Sequence, residues 1–276
     1  MTVILLRHGR STSNTAGILA GRSEGVDLDD KGREQAAGLI DRLGDLPIRA
    51  VVTSPLLRCR RTIEPLAESL CLEPVIDERI AEVDYGEWTG RKIGELAKEA
   101  LWRVVQAHPS AAVFPGGEGL AQVQARAVAA VREHDKRIAL EYGGEHGGDA
   151  LWVACTHGDV IKSVIADAYG IHLDGFQRVT ADPGSVSVVS YTPLRPFVLH
   201  VNHTGARLSA ALRAGPQKDQ QPKDESQKDQ AQKDEPQNEE PQNEEPPKDE
   251  QPQNDEPVEP VSELPPSDAV VGGSTD

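Results

Sequence analysis

Short runs of β-branched residues alternate with helical patterns from the N-terminus to about residue 200. This alternation is typical of an α/β fold with a largely parallel sheet. The predicted strands are Thr2–Leu6, Ala50–Thr53, Glu73–Ile76, Leu151–Cys155, and an edge hairpin made of Val186–Tyr191 and Phe197–Val201. The predicted helices begin near Asp30, Ser54, Gly119 and Gly158. Ser54 and Pro55 form a favourable cap and first turn for the second of these helices.

A change in composition near residue 214 limits the part of the chain that can fold. Residues 216–276 hold 18 acidic and 5 basic residues, a net charge of −13, with no aromatic and only 7 apolar residues. Such a segment cannot bury enough apolar surface to offset the conformational entropy lost on folding. We therefore expect one folded domain over residues 1–213 and a disordered, acidic, Pro/Gln/Glu-rich tail over 214–276. The tail is either a solubilising extension or a segment that recruits a basic partner.

Several classes of protein are excluded before any motif is considered. No apolar run approaches the roughly 18 residues that a membrane span needs, and the N-terminus resembles a buried strand rather than a signal peptide. The net charge of −16 argues against a nucleic-acid partner. Three cysteines without a Cys-x-x-Cys pair predict neither a disulfide framework nor a zinc site. We expect a cytoplasmic protein that binds neither membrane nor nucleic acid.

The candidate chemistry lies where three predicted strands run into the helices that follow them. Arg7 and His8 end the first strand, Arg58 stands one turn into the helix after the second, and His157 follows Leu151–Cys155. Ligands of open parallel sheets bind beyond the carboxyl ends of the strands, beside helix N-termini, so these side chains are expected to converge. Two guanidinium groups at that edge predict a site for a phosphoryl group, which arginine binds bidentately.

Two histidines beside a phosphate site indicate covalent phosphoryl transfer. A neutral imidazole nitrogen can attack phosphorus, whereas an arginine cannot. One histidine would take the phosphoryl group, and the second would hydrogen-bond the charge that builds on it. The leaving alkoxide needs a proton, for which Glu82 is the best candidate in the turn-rich segment 79–90, with Asp84 and Glu87 as rivals. Burial raises the pKa of a carboxyl and nearby arginines lower it, so its protonation state depends on the fold.

Five motifs, in this order, resemble those of the histidine phosphatase (phosphoglycerate mutase-like) superfamily. They are LLRHGRSTSN, SPLLRCRRT, AEVDYGEWTG, FPGGEGLAQVQAR and CTHGDVIK. The resemblance covers nearly all of residues 1–210 and none of the tail. It implies a three-layer α/β/α sandwich with a mostly parallel central sheet, a small phosphorylated metabolite as substrate, and no metal or cofactor. A homodimer is compatible with it.

Carried over position by position, the resemblance assigns roles to six residues. His8 matches the phosphorylated nucleophile, Glu82 the proton donor and His157 the second histidine of the pocket. The matching phosphate ligands are Arg7, Asn14 and Arg58.

Two departures from the mutase branch of this family matter, and the second favours a phosphatase. Arg10 stands where mutases usually carry glutamate, and it either enlarges the positive site or points into solvent. Mutases also have a longer basic segment that holds the glycerate carboxylate, whereas here Arg91 and Lys92 are the nearby basic residues. The first hypothesis is a metal-free phosphomonoesterase that works through phospho-His8. The alternatives are phosphoglycerate mutase-type transfer and an interaction protein that binds a phosphorylated ligand and recruits a partner through its tail.

Two further expectations concern residues outside these motifs. Trp88, Trp102 and Trp152 are predicted to pack in the core rather than to form a cofactor cage. His200 and His203 are expected on opposite faces of a strand, because side chains alternate along it, and therefore do not suggest a metal site.

Overall fold

A computed structural model describes residues 1–142 and 150–205 of the chain. The strands are β1 Thr2–Arg7, β2 Ile48–Thr53, β3 Val75–Ile76, β4 Leu151–Thr156, β5 Val186–Tyr191 and β6 Pro196–His203. The helices are α1 Thr12–Ala16, α2 Asp30–Ala37, α3 Leu39–Leu43, α4 Leu57–Ser69, α5 Ile93–Leu96, α6 Ala100–Ala107, α7 Leu120–Tyr142 and α8 Gly158–Tyr169. Four 3₁₀ turns are Glu78–Ile80, Gly86–Trp88, Pro109–Ala111 and Leu173–Arg178. The predicted tail and its boundary after residue 213 lie outside the described residues.

The six strands form one sheet in the order β3-β2-β4-β1-β5-β6. Neighbouring strands from β3 to β1 are parallel, whereas β5 is antiparallel to β1 and to β6. The mostly parallel sheet and the hairpin at one edge are therefore confirmed. Arg7 pairs with Thr156 and Thr53 with Cys155, so β1, β2 and β4 end level with one another. The residues that follow these three strands consequently share one edge of the sheet.

The central strands β1 and β4 are buried on both faces, as the predicted three-layer sandwich requires. Val3 and Leu5 point to the face covered by α7 and α8, where Trp152 lies in the core. Ile4 and Leu6 point to the other face, which α3 and α4 cover. Strands buried on both sides contain continuous apolar runs instead of alternating ones, and the start of the chain has such a run. None of the helices in the described ranges is long and apolar enough to cross a bilayer.

The local structure differs from the sequence prediction at three places. The helix after β2 begins at Leu57 with Leu56 as its N-cap, so the prediction that Ser54 caps this helix is wrong. The helix predicted near Asp30 is divided at Gly38 into α2 and α3. The predicted strand Glu73–Ile76 is reduced to the two residues of β3, because Pro74 has no N–H to donate to the ladder.

The three tryptophans pack in or against the core as predicted. The prediction that the two histidines of β6 lie on opposite faces is wrong. Trp88 is buried and stacks on Trp102, with ring centroids 6.2 Å apart. The rings of His200 and His203 lie on the same side of β6, with centroids 6.4 Å apart. The expectation of opposite faces is wrong because the register of β6 against β5 is irregular, and such an irregularity shifts the alternation of side chains by one.

Asp77 holds the segment that leads from β3 toward Glu82. Its carboxylate accepts hydrogen bonds from the backbone N–H and the guanidinium of Arg79, and from His134 Nε2 at 2.7 Å. Burial alone raises the pKa of Asp77, but the hydrogen bonds from Arg79 and His134 outweigh burial and lower the pKa to about 2. The charged form of Asp77 therefore stabilises the folded protein.

We expect Asp77→Asn to lower the free energy of unfolding at pH 7 by about 1–2 kcal/mol. The folded-state pKa lies below the usual 3.8, so this stabilisation is present above pH 3.8 and is lost as the pH falls toward 2. Urea unfolding of wild type and variant at neutral and acid pH measures the difference, with the exposed Asp45→Asn as control. An equal difference at both pH values would contradict this account.

Candidate active site

Five of the six predicted site residues converge where β1, β2 and β4 end, and four of these five contact one another directly. Arg58 Nε donates to His8 Nε2 at 3.3 Å, and Arg58 Nη2 donates to His157 Nδ1 at 3.2 Å. The two imidazole rings have centroids 5.2 Å apart, and Glu82 Oε2 lies 3.8 Å from His157 Nδ1. All four side chains are buried. The guanidinium of Arg58 thus lies between the two histidines.

His8 is held as a neutral imidazole with one ring nitrogen free of a proton. Its Nδ1 donates to the carbonyl of Gly9 at 2.7 Å, which leaves the lone pair of Nε2 facing Arg58. Burial, together with the positive charges of Arg58 and Arg7, lowers the pKa of His8 well below 6.5. At neutral pH the ring therefore carries no charge, and Nε2 is available to attack an electrophile.

His157 is held by Ser54, which the sequence predicted only as a helix cap. Its Nε2 lies 2.8 Å from Ser54 Oγ, and its Nδ1 accepts from Arg58. The neutral tautomer that satisfies both contacts carries its proton on Nε2 and donates it to Ser54. Burial and the charge of Arg58 lower the pKa of His157 well below 6.5. Ser54 follows β2, one residue beyond a strand end, which is the only sequence signal for its role.

The two arginines present unsatisfied donors to this pocket. Arg7 Nη1 donates to the carbonyl of Ala181 at 2.5 Å, and Arg58 Nη2 to that of Gly21 at 2.8 Å. In the described part of the chain, Arg7 Nε and Arg58 Nη1 are buried without a hydrogen-bond partner. Buried donors without partners are rare in folded proteins, so these two nitrogens are available to a ligand. Two cationic donors of this kind favour an anion with several oxygens, such as a phosphoryl group.

The N-terminus of α8 completes the anion pocket. A Cβ at Gly158 would lie 3.3 Å from Arg7 Cζ, so the glycine leaves room for this guanidinium at the first turn of the helix. The unpaired N–H groups of a helix N-terminus add positive potential to such a site.

Glu82 is the acid that the fold places beside the histidines. Its Oε1 accepts from the N–H of Val83 at 3.0 Å. Burial and the negative charge of Asp159 raise the pKa of Glu82 to about 7, although Arg58 and Arg7 oppose this effect. Glu82 can therefore hold a proton near neutral pH and release it during a reaction.

Asp84 and Glu87, the alternative proton donors, lie in different surroundings from Glu82. Asp84 Oδ1 accepts from the N–H of Gly86 at 3.0 Å, and Glu87 is exposed. The carboxylate of Glu82 lies against His157, whereas neither of these two arrangements places a carboxylate there.

A group of three charged residues holds the Glu82 segment in place. Glu118 accepts from Arg22 at 3.0 Å, from Arg126 at 2.8 Å and from the N–H of Asp84 at 2.9 Å. Arg22 and Arg126 in turn donate to the backbone carbonyl of Glu82 at 2.9 and 3.1 Å. Sequence reasoning assigned no role to these three residues, although Glu118 lies in the motif FPGGEG. These three residues lie far from Glu82 in the sequence, so sequence reasoning alone does not reveal that they contact its segment.

Asn14 and Arg10 make their hydrogen bonds outside the histidine cluster. Asn14 is exposed, and its Oδ1 accepts from the N–H and the hydroxyl of Ser11 in a capping box at the start of α1. Its assignment as a phosphate ligand therefore stays a prediction that depends on the amide nitrogen. Arg10 is half-exposed, and its Nε donates to Asp29 at 2.6 Å. Of the two alternatives for Arg10, this ion pair does not favour enlargement of the positive site.

The fold and this pocket define an α/β protein with two neutral histidines and two arginines at one sheet edge. The sequence model of the histidine phosphatase superfamily (branch 1) matches residues 3–204, and the chain belongs to this family.

Individual relatives have different named activities. Phosphoserine phosphatase 1 of Hydrogenobacter thermophilus is 30% identical over 205 residues, covering 73% of this chain and 92% of that protein. "Probable phosphoglycerate mutase GpmB" of Erwinia tasmaniensis is 31% identical over 194 residues, covering 69% and 85%. The structure of a mycobacterial glucosyl-3-phosphoglycerate phosphatase with VO3 superposes with a TM-score of 0.67 at 24% identity, covering 73% and 99%. The last likeness shows the shared fold.

We expect inorganic phosphate to stabilise the protein through Arg58. At phosphate 100-fold above its Kd, the free energy of unfolding should rise by about 2.7 kcal/mol. Arg58→Met should remove this effect, because it deletes a buried donor and a charge facing the anion. Thermal unfolding with and without phosphate measures it, and Arg60→Met, at an exposed position of the same helix, is the control. A full phosphate shift in Arg58→Met would refute the assignment.

Proposed function

We propose that this protein is a phosphomonoesterase that hydrolyses a small phosphorylated metabolite through a phosphohistidine on His8. The observation that carries the proposal is the buried, neutral His8 Nε2 beside two arginines with unpartnered donors. A phosphatase relative at 30% identity supports it.

The first step transfers the phosphoryl group to His8. Its oxygens accept hydrogen bonds from Arg7 Nε and Arg58 Nη1, and the anion replaces the contact of Arg58 with His8 Nε2. The Nε2 lone pair forms the P–N bond as the ester P–O bond breaks. Glu82 donates its proton to the leaving oxygen, and the alcohol departs. Arg58, whose guanidinium is oriented by His157 Nδ1, hydrogen-bonds the oxygens on which negative charge builds.

The second step returns the enzyme to its starting state. The Glu82 carboxylate takes a proton from a water molecule as the water oxygen attacks phosphorus. The P–N bond breaks, its electron pair returns to His8 Nε2, and inorganic phosphate is released. Glu82 is protonated again, so no proton is gained or lost by the protein over the cycle. A carboxyl with a pKa of about 7 suits both directions of this transfer.

Mutase-type transfer to a second substrate is the alternative that a relative's name favours. The pairing of Arg91 with Glu99 at 2.6 Å supports hydrolysis instead, because a substrate carboxylate would have to compete with Glu99 for this guanidinium. The two reactions differ in the phosphoryl acceptor. A panel of phosphoserine, α-ribazole 5′-phosphate, glucosyl-3-phosphoglycerate and 3-phosphoglycerate, taken from the names of relatives, separates phosphate release from interconversion of phosphoglycerates.

We expect His8→Ala to lower kcat by about 10⁴-fold or more, because no other group replaces the nucleophile. Rapid quenching of wild type with ³²P-labelled substrate should trap an acid-labile, base-stable phosphate on the peptide that contains His8. The exposed His200→Ala should retain both turnover and label. Turnover in His8→Ala, or a label on another residue, would overturn the covalent mechanism.

We expect the effect of Glu82→Gln to depend on the leaving group. With an alkyl phosphate kcat/KM, which reports only the steps up to release of the alcohol, should fall about 10²–10⁴-fold, whereas with p-nitrophenyl phosphate it should fall less, because p-nitrophenolate leaves without a proton. For wild type, kcat/KM on alkyl esters should fall as the pH rises through about 7, where Glu82 loses its proton. Glu87→Gln is the matched control. An equal loss with both esters would exclude Glu82 as the proton donor.

A further inference from the structure

Arg7 is held by a loop from a distant part of the sequence. Its Nη1 donates to the carbonyl of Ala181, and its backbone N–H donates to the carbonyl of Ser185 at 3.0 Å. The N–H of Gly184 contacts the carbonyls of Arg7 and His8 at 3.2 and 3.1 Å. The direction in which Arg7 presents its unpartnered Nε therefore depends on the position of residues 181–185.

The same loop is fixed from the other side by Asn202 of β6. The N–H of Asp182 donates to Asn202 Oδ1 at 2.6 Å, and Asn202 Nδ2 donates to Asp182 Oδ2 at 2.8 Å. These two reciprocal bonds use both ends of the amide. They hold Asp182 directly next to the carbonyl that accepts from Arg7.

The backbone of Asn202 is itself in an unfavourable conformation. Its φ is +55°, in the left-handed region, where a residue with a Cβ costs roughly 1–2 kcal/mol and Asn is among the best tolerated. The N–H of Asn202 donates to Ser187 Oγ at 3.0 Å, where the register of β6 against β5 is irregular. Glycine would relieve this strain but would lose both hydrogen bonds to Asp182, so the side chain accounts for the choice of asparagine.

We propose that Asn202 is a positioning residue for phosphate binding: through its paired hydrogen bonds with Asp182 it holds the Ala181 carbonyl that orients the Arg7 guanidinium toward the phosphoryl group. This inference rests on the proposed function, because it takes Arg7 as a phosphate ligand. It adds a contribution from β6, which supplies no group to the pocket itself. A displacement of about 1 Å in a positioning group is enough to weaken such a site strongly.

Asn202→Gly separates this role from a contribution to folding alone. The variant keeps the left-handed backbone and removes only the amide. We expect its Kd for inorganic phosphate, measured by calorimetry on the full chain, to rise about tenfold. KM for the best ester should rise similarly, while the melting temperature without phosphate stays within a few degrees of wild type. His200→Gly, at an exposed position of the same strand, should bind phosphate as wild type does.

Exchange of the two side chains provides a rescue test. Asn202→Asp places two carboxylates against each other and should weaken phosphate binding. In the double variant Asn202→Asp/Asp182→Asn, the N–H and the side-chain amide of residue 182 both donate to the carboxylate at 202. We expect the double variant to bind phosphate more tightly than Asn202→Asp, recovering most of the lost affinity.

Two results would overturn the inference. One is a phosphate Kd in Asn202→Gly within about twofold of that in His200→Gly. The other is a double variant no better than Asn202→Asp. Either result, obtained with an active wild type that binds phosphate, leaves the proposed function intact. Wild type that binds no phosphate and hydrolyses no ester would defeat the proposed function, and this inference with it.

Discussion

The buried guanidinium of Arg58 between two imidazoles is the interaction on which the site depends. A cation removed from water is costly unless it is compensated, and here its compensation is incomplete, since Nη1 has no partner among the described residues. Burial and, to a smaller extent, the charge of Arg58 keep both histidines neutral, and the Arg58 nitrogens hydrogen-bond both rings. An arriving phosphoryl group would supply the missing negative charge. The site therefore suits a ligand with negatively charged oxygens.

Burial sets the protonation states of the whole cluster. The same exclusion of water that keeps His8 neutral raises the pKa of Glu82 to about 7, because burial disfavours the charged form of either group. The arginines oppose this effect on Glu82, while Asp159 reinforces it. One buried environment therefore favours the uncharged forms of both His8 and Glu82.

The sheet positions the histidines, but segments outside it position the remaining groups. Glu118, with Arg22 and Arg126, fixes the backbone on which Glu82 stands. On the opposite side, the loop before β5 receives Arg7 and is joined to β6 by Asp182. In both arrangements, charged or amide side chains form hydrogen bonds with backbone groups. These bonds fix the geometry of irregular segments, which have no strand partner to satisfy their backbone.

The sequence by itself determined the sheet, the edge hairpin and the convergence of His8, Arg58 and His157, because apolar periodicity and strand-end motifs are local signals. It did not determine that Ser54 contacts His157 instead of capping α4, or that an irregular register brings His200 and His203 to one side of β6. Nor did it show Glu118 holding the segment that carries Glu82, the pairing of Asn202 with Asp182, or the raised pKa of Glu82. Only the tertiary structure decided these features, because each depends on burial and contacts between residues far apart in the chain.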